Sequence, residues 1–184
     1  MINKGYLTAE TTKESDKQFT PTYAVKPLLE FLIPSQIQTI WCPFDDETSE
    51  YVKELQNNGY KVIATDIEHG YDFFSYEPKE HYDIIISNPP FSLKDKILKR
   101  LQELNKPFAM LLPLPTLQGE KRFSYLANTQ ALIFDKRVNF YKDKAHTIKQ
   151  SGAAFASIYI CKDFLPSDLI FRKLDKGGEK WYIN

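Results

Sequence analysis

Tyr82-Asp83-Ile84-Ile85-Ile86-Ser87-Asn88-Pro89-Pro90-Phe91 is the stretch on which the fold turns. Tyr82–Ser87 is a nearly continuous apolar run, the pattern of a strand covered on both faces. Two prolines and an aromatic then interrupt it. From Ser92 to Leu104 apolar residues return at Leu93, Ile97, Leu98, Leu101 and Leu104, the spacing of an amphipathic helix. Buried strand, stiff turn and helix together make half of a βαβ unit.

The same alternation extends in both directions. Upstream, Ala24–Ile33 predicts a short helix stopped at Pro34, Ile37–Trp41 a strand, Ser49–Asn57 a helix with Gly59 just past its end, and Tyr60–Thr65 a strand. Downstream, Phe108–Leu112 reads as a strand, Leu117–Ala127 as helical, and Ala131–Phe134 and Phe155–Cys161 as strands. Strands alternating with helices predict an α/β fold with a mostly parallel central sheet and helices on both faces. The closer spacing of the last strands predicts an antiparallel C-terminal edge. The 184 residues are read as one domain, with 1–18 as an arm.

Composition excludes several classes. Apolar residues make up 42% and charged residues 26%, a globular balance. Lys+Arg and Asp+Glu both number 24, so nothing holds nucleic acid by bulk charge. Cys42 and Cys161 cannot form a disulfide scaffold and fit a reducing, cytoplasmic setting. No apolar run approaches the roughly 20 residues of a membrane span. His69, His81 and His146 have no ligand spacing with the cysteines, so no metal is expected.

Ligands of open α/β sheets bind beyond the carboxyl ends of the strands. Three successive predicted strands end there in Cys42-Pro43-Phe44-Asp45, in Asp66, and in Asn88-Pro89-Pro90-Phe91. Asn88 offers an amide oxygen as acceptor. Pro89 biases Asn88 toward extended geometry, and Pro90 stiffens the turn. The Asn88 amide and the Pro89 carbonyl are thus two fixed acceptors for one NH₂ group. The exocyclic amine of adenine is a poor nucleophile because its lone pair is delocalised into the ring. Accepting both of its hydrogens pushes the nitrogen toward tetrahedral geometry and frees that pair, an oxyanion hole with the sign reversed. Phe91 offers a flat face for a base, worth roughly 1–3 kcal/mol.

Asn88-Pro89-Pro90-Phe91 resembles the (D/N/S)PP(Y/F/W) motif of amino-group methyltransferases that use S-adenosylmethionine, in its N6-adenine form. Phe19-Thr20-Pro21 resembles the segment those enzymes place before the first cofactor strand. Gly70-Tyr71-Asp72-Phe73-Phe74 resembles their "gDFF" segment. The arrangement looks like the small, single-domain DNA adenine methyltransferases carried by phages and covers about residues 17–161. The resemblance implies a Rossmann-like fold and S-adenosylmethionine as cofactor. It implies Phe19, Thr20, Pro21, Pro43, Phe44, Asp45, Asp66, Asp72 and Phe73 at the cofactor, with Asp66 on ribose hydroxyls and Asp72 on the adenine amine. It implies Asn88, Pro89, Pro90 and Phe91 at the reacting amine.

The first strand's turn departs from that pattern. The family has an acid where Cys42 stands and a glycine-rich turn where Asp45-Asp46-Glu47-Thr48-Ser49 stands. Either the acids meet the cofactor's α-amino group, or the fold only binds nucleic acid or protein. The same acids also suit a plain helix start.

From Lys121 to Gln150 seven basic residues face two acids. Lys121, Arg122, Lys136, Arg137, Lys142 and Lys144, interleaved with aromatics, predict backbone contacts to nucleic acid within a target-recognition region over 114–152. A solvated charged surface would read the same way. DNA is the expected partner, with the base flipped into the pocket. RNA is the nearest alternative, because it presents the same amine. Protein glutamine methylation fits less well, since that amide usually meets Asn-Pro-Pro-Tyr. Nucleotidyl transfer would need paired metal carboxylates, for which Asp45-Asp46 is the one candidate.

Overall fold

The computed structural model describes residues 18–148 and 155–177. Residues 1–17 of the expected arm over 1–18, and the end of the expected recognition region, 149–152, lie outside the described residues. The chain forms α1 (Thr22–Leu29), β1 (Thr39–Cys42), α2 (Glu50–Asn57), β2 (Lys61–Ala64), β3 (Ile84–Ser87), α3 (Lys94–Leu104), β4 (Phe108–Pro113), α4 (Phe123–Leu126), β5 (Gln130–Phe134), β6 (Ser157–Lys162) and β7 (Leu169–Arg172). The strands make one seven-stranded sheet in the order β2-β1-β3-β4-β6-β5-β7. Among the described residues β6 alone runs against the others, paired antiparallel to both β4 and β5. It is the antiparallel element expected late in the chain. It sits inside the sheet, and β7, parallel to β5, forms the outer edge.

The connections β1–α2–β2 and β3–α3–β4 step along the sheet in opposite directions. Right-handed crossovers therefore put α2 and α3 on opposite faces. The Tyr159 hydroxyl, from β6, donates to the Ala24 carbonyl of α1 at 2.9 Å and shares a 2.7 Å hydrogen bond with the Tyr51 hydroxyl of α2. It fixes both helices over one face. On α3, the Gln102 amide holds the Tyr125 carbonyl of α4 at 2.8 Å. With both faces covered, every residue of β3 and β4 is buried. That burial explains their unbroken apolar sequence.

Element bounds shift for local reasons. The expected strand at Ile37 starts at Thr39. Ile37 N–H closes a turn on the Ile33 carbonyl, and the Asp83 carboxylate takes the Gln38 and Thr39 N–H groups. The expected helix Ala24–Ile33 runs over Thr22–Leu29 and ends in a tight turn through Phe31 N–H to the Leu28 carbonyl. The expected helix Leu117–Ala127 is instead two 3₁₀ turns and the four-residue α4. Gly119, extended at φ 162° and ψ 127°, interrupts it. Ser49 caps α2 by accepting from Tyr51 N–H, and Gly59 follows at φ 88°, the left-handed stop that glycine permits. Among the described residues no helix is long and apolar enough to cross a membrane.

Candidate active site

Strand order reverses between β1 and β3, and a cleft opens there beyond the carboxyl ends of β1, β2 and β3. Its volume is about 190 Å³. Gln18, Phe19 and Thr20 line one side, Phe44, Asp45, Asp46 and Ser49 the floor, Asp66, Ile67 and Glu68 the far rim, and Asn88 and Pro90 the near rim. Lys144 and His146 reach in from the loop after Tyr141.

Asn88 directly follows the last residue of β3. Its side-chain N–H donates to the Gln18 carbonyl at 3.1 Å. That bond orients the amide and leaves its oxygen, Oδ1, buried with no hydrogen-bond partner. A buried acceptor without a donor costs roughly 1–3 kcal/mol, a cost that an incoming N–H would relieve. Gln18 is held in turn by the adjacent bridge of Phe19 to Tyr141, two backbone hydrogen bonds of 2.9 Å.

Asp45 occupies the floor, 8% exposed. Its carboxylate accepts from the Ser49 hydroxyl at 2.5 Å and from the Ser87 hydroxyl, while its N–H donates to the Thr65 carbonyl at 3.2 Å. Burial raises the Asp45 carboxyl to about 6, against the two serine hydroxyls that pull it down. Asp46 behaves oppositely. Burial raises it, but hydrogen bonds from Lys144 and from the Thr48 hydroxyl and N–H bring it to about 2. Asp66 accepts from the His69 N–H and ring at 2.8 Å.

The turn from Cys42 to Ser49 needs no glycine. No residue in it takes a positive φ, so side chains are accommodated throughout. Cys42 is fully buried, and burial pushes its thiol up, which suits a core filler.

The expected site residues thus divide. Phe19, Thr20, Phe44, Asp45, Asp66, Asn88 and Pro90 line the cleft. Pro21 stands just behind it as the N-cap of α1, and Pro43 is buried beneath it. Pro89 lies between lining residues without lining it. Asp72 and Phe73 do not line it. The Asp72 carboxylate caps its own turn at Phe74 N–H, and Phe73, 3% exposed, packs on Trp41 and Phe44. Phe91 is 6% exposed, with Phe140 and Phe155 each at 6.0 Å.

The expected basic contacts divide as well. Lys144 is the counter-ion of Asp46. The Arg122 guanidinium pairs with Asp95 at 2.7 Å and donates to the carbonyls of Pro115, Thr116 and Gln118. Both serve the fold. Lys136 lies 3.8 Å from Asp135 and reaches the Leu174 carbonyl. Lys121, Arg137 and Lys142 are exposed.

Sequence reading missed Gln18, Ile67, Glu68 and His146 as lining residues. Ile67 and Glu68 directly follow the strand-end Asp66, and that adjacency is the signal by which the sequence could have pointed to them. Five carboxylates, Asp45, Asp46, Glu50, Asp66 and Glu68, line the cleft, against two basic side chains, Lys144 and His146. The donor set suits a cationic ligand with hydroxyls and repels a polyanion.

No protein-family model matches the chain, and no curated protein sequence matches it. Solved structures do. The type I restriction-modification methyltransferase subunit of Streptococcus thermophilus superposes at TM-score 0.50 and 13% identity, over 85% of this chain and 47% of that one. A Listeria monocytogenes protein assigned to the class I S-adenosylmethionine-dependent methyltransferases superposes at TM-score 0.51 and 15% identity, over 86% of this chain and 66% of that one. The chain spans about half the length of the first and just under two-thirds of the second. The likeness is one of fold: the chain has the Rossmann-like architecture of these methyltransferases.

Proposed function

We propose that this chain is an S-adenosylmethionine-dependent methyltransferase that modifies the N6 amine of adenine in DNA. The carrying observation is the buried Asn88 Oδ1, which has no partner and stands beside an acid-lined cleft at the sheet's switch point.

The residues present fit the cofactor. It is a sulfonium with an α-ammonium group, and the cleft presents carboxylates. Asp45 would meet positive charge from the floor, Asp66 the ribose hydroxyls, and Phe44 and Ile67 the apolar ring. When bound, the cofactor supplies an electrophilic methyl group.

The remaining work belongs to the protein. Asn88 Oδ1 accepts one hydrogen of the adenine amine and the Pro89 carbonyl the other, so the nitrogen lone pair leaves the ring's conjugation. The Gln18 carbonyl keeps the Asn88 amide from flipping its N–H toward the substrate. Phe91 is 6% exposed and does not line the cleft; held between Phe140 and Phe155, it backs the Asn88-Pro89-Pro90 turn from the core. The buried setting keeps water from competing for the acceptors.

The test is transfer of tritiated methyl from S-adenosylmethionine in EDTA. Unmethylated genomic DNA and unmodified tRNA are assayed in parallel, with Asn88→Ala as control. Counts on DNA that vanish in the variant support the reading. Counts on tRNA alone transfer it to RNA. No counts on either, from a protein that binds the cofactor, remove it.

A further inference from the structure

The cleft is acidic, so the phosphate backbone of a substrate has to be received elsewhere. The turn between β4 and α4, residues 114–123, presents a surface with the right chemistry. It exposes Leu114 at 39%, Leu117 at 40% and Phe123 at 73%, the last being the most exposed large apolar side chain among the described residues. Isolated exposed apolar residues are ordinary; three on one short turn are not.

That turn is braced. The Arg122 guanidinium sits inside it, bonded to the carbonyls of Pro115, Thr116 and Gln118, and its pair with Asp95 fastens the turn to the start of α3. A Cβ at Gly119 would stand 3.1 Å from the guanidinium, so the arginine packs closely over this glycine. The exposed side chains are therefore held outward by a built scaffold.

The charge around them is positive. Lys121 lies on the turn with Glu120, and the pair of Arg122 with Asp95 brings up the start of α3, where Lys94 and Lys96 adjoin Asp95 in sequence. α3 starts at Lys94, one 3₁₀ turn after Asn88-Pro89-Pro90, which places this surface at the border of the proposed reaction site.

We infer that the braced turn 114–123 is the docking surface for DNA, with Phe123 stacking on an unpaired base next to the target and Lys96 and Lys121 on its phosphates. The inference rests on the proposed reaction for its choice of DNA. Arg122, expected from sequence as a phosphate contact, is instead the positioning residue that presents Phe123. Aromatic stacking is sequence-tolerant, so the surface grips opened DNA without reading its sequence.

The test is fluorescence anisotropy with a fluorescein-labelled DNA duplex carrying one unpaired adenine, and a labelled RNA hairpin as second probe. Phe123→Ala should weaken DNA binding about tenfold. Phe171→Ala, a 65%-exposed phenylalanine on β7, should not. Lys121→Glu should weaken binding and flatten its salt dependence. Cofactor affinity by calorimetry should be the same in all of them. Equal binding by Phe123→Ala and wild type, binding of RNA alone, or no DNA binding overturns the inference. DNA binding that depends on Phe123 in a protein that transfers no methyl group upholds this surface and removes only the proposed reaction.

Discussion

The Ser87 hydroxyl donates to the Asp45 carboxylate, so the last residue of β3 is hydrogen-bonded to the turn that follows β1. Ser87 is fully buried and immediately precedes Asn88. The Ser49 cap of α2 bonds the same carboxylate at 2.5 Å. One side chain thereby ties both sides of the switch point together, and Asn88 is set by a strand end that cannot drift from the turn after β1.

Removing the Ser87 hydroxyl leaves a buried carboxylate with one donor fewer. Ser87→Ala should cost about 1–3 kcal/mol of stability in urea unfolding, because the largely buried Asp45 carboxylate loses one of its two serine donors. The Asn88 amide should also lose order, so methyl transfer should fall more than cofactor affinity does. An unchanged ratio of the two would detach Ser87 from the positioning of Asn88.

Asp45 predicts an unusual pH dependence. Its carboxyl is raised by burial to about 6 in the folded protein, against 3.8 when unfolded. Between those values the folded state binds the proton that the unfolded state has lost, so stability falls as pH rises through this window. About 3 kcal/mol is at stake at neutral pH, as an order of magnitude. Asp45→Asn should therefore be more stable than wild type at pH 7.5, with the advantage gone below about pH 4. The same substitution should weaken binding of the cationic cofactor. Stability and affinity moving in opposite directions would be the mark of a charge kept for its ligand. Measurements of both across pH 4–8 check it.

Lys144 and Arg122 make a contrasting pair. Lys144 is half exposed on its loop and meets Asp46 near the surface, a type of ion pair worth at most about 1 kcal/mol. Lys144→Ala should barely move the melting temperature. Arg122 serves Asp95 and three carbonyls from one guanidinium. Arg122→Ala should destabilise by about 1–3 kcal/mol, since those acceptors lose their shared donor. Thermal melts of the two variants side by side decide between these roles.

The fold was legible wherever period and burial agree. Ile84–Ser87 and Phe108–Pro113 are buried on both faces, so their apolar runs announce them. β7 escaped because only Ile170 is buried while its exposed neighbours Leu169 and Phe171 are apolar too, so the strand's alternating burial is not mirrored by alternating polarity in the sequence. The 114–123 turn escaped because its shape comes from one arginine reaching back across the chain, which no periodicity encodes. At the site, the strand-end residues Asp45, Asp66 and Asn88 could be found from position alone. Gln18 and His146 could not. Gln18 is placed by a backbone bridge between Phe19 and Tyr141, and His146 by stacking on Tyr141 at 4.4 Å, both contacts distant from β3 in sequence. Asp72 and Phe73 had the right letters, but a local turn and the core claim them.

The central claim is that the unpartnered Asn88 amide oxygen receives the adenine amine. Loss of one preorganised acceptor should lower methyl transfer about 10²–10³-fold, while folding should lose only the 3.1 Å bond from the Asn88 amide to the Gln18 carbonyl, because Oδ1 bonds nothing in the free protein. The direct measurement is nucleoside mass spectrometry of DNA incubated with the protein and S-adenosylmethionine. The account predicts N6-methyldeoxyadenosine from wild type and its near absence from Asn88→Ala of equal melting temperature and cofactor affinity. A methylated cytosine as the product, or equal N6-methyldeoxyadenosine from both proteins, would contradict it.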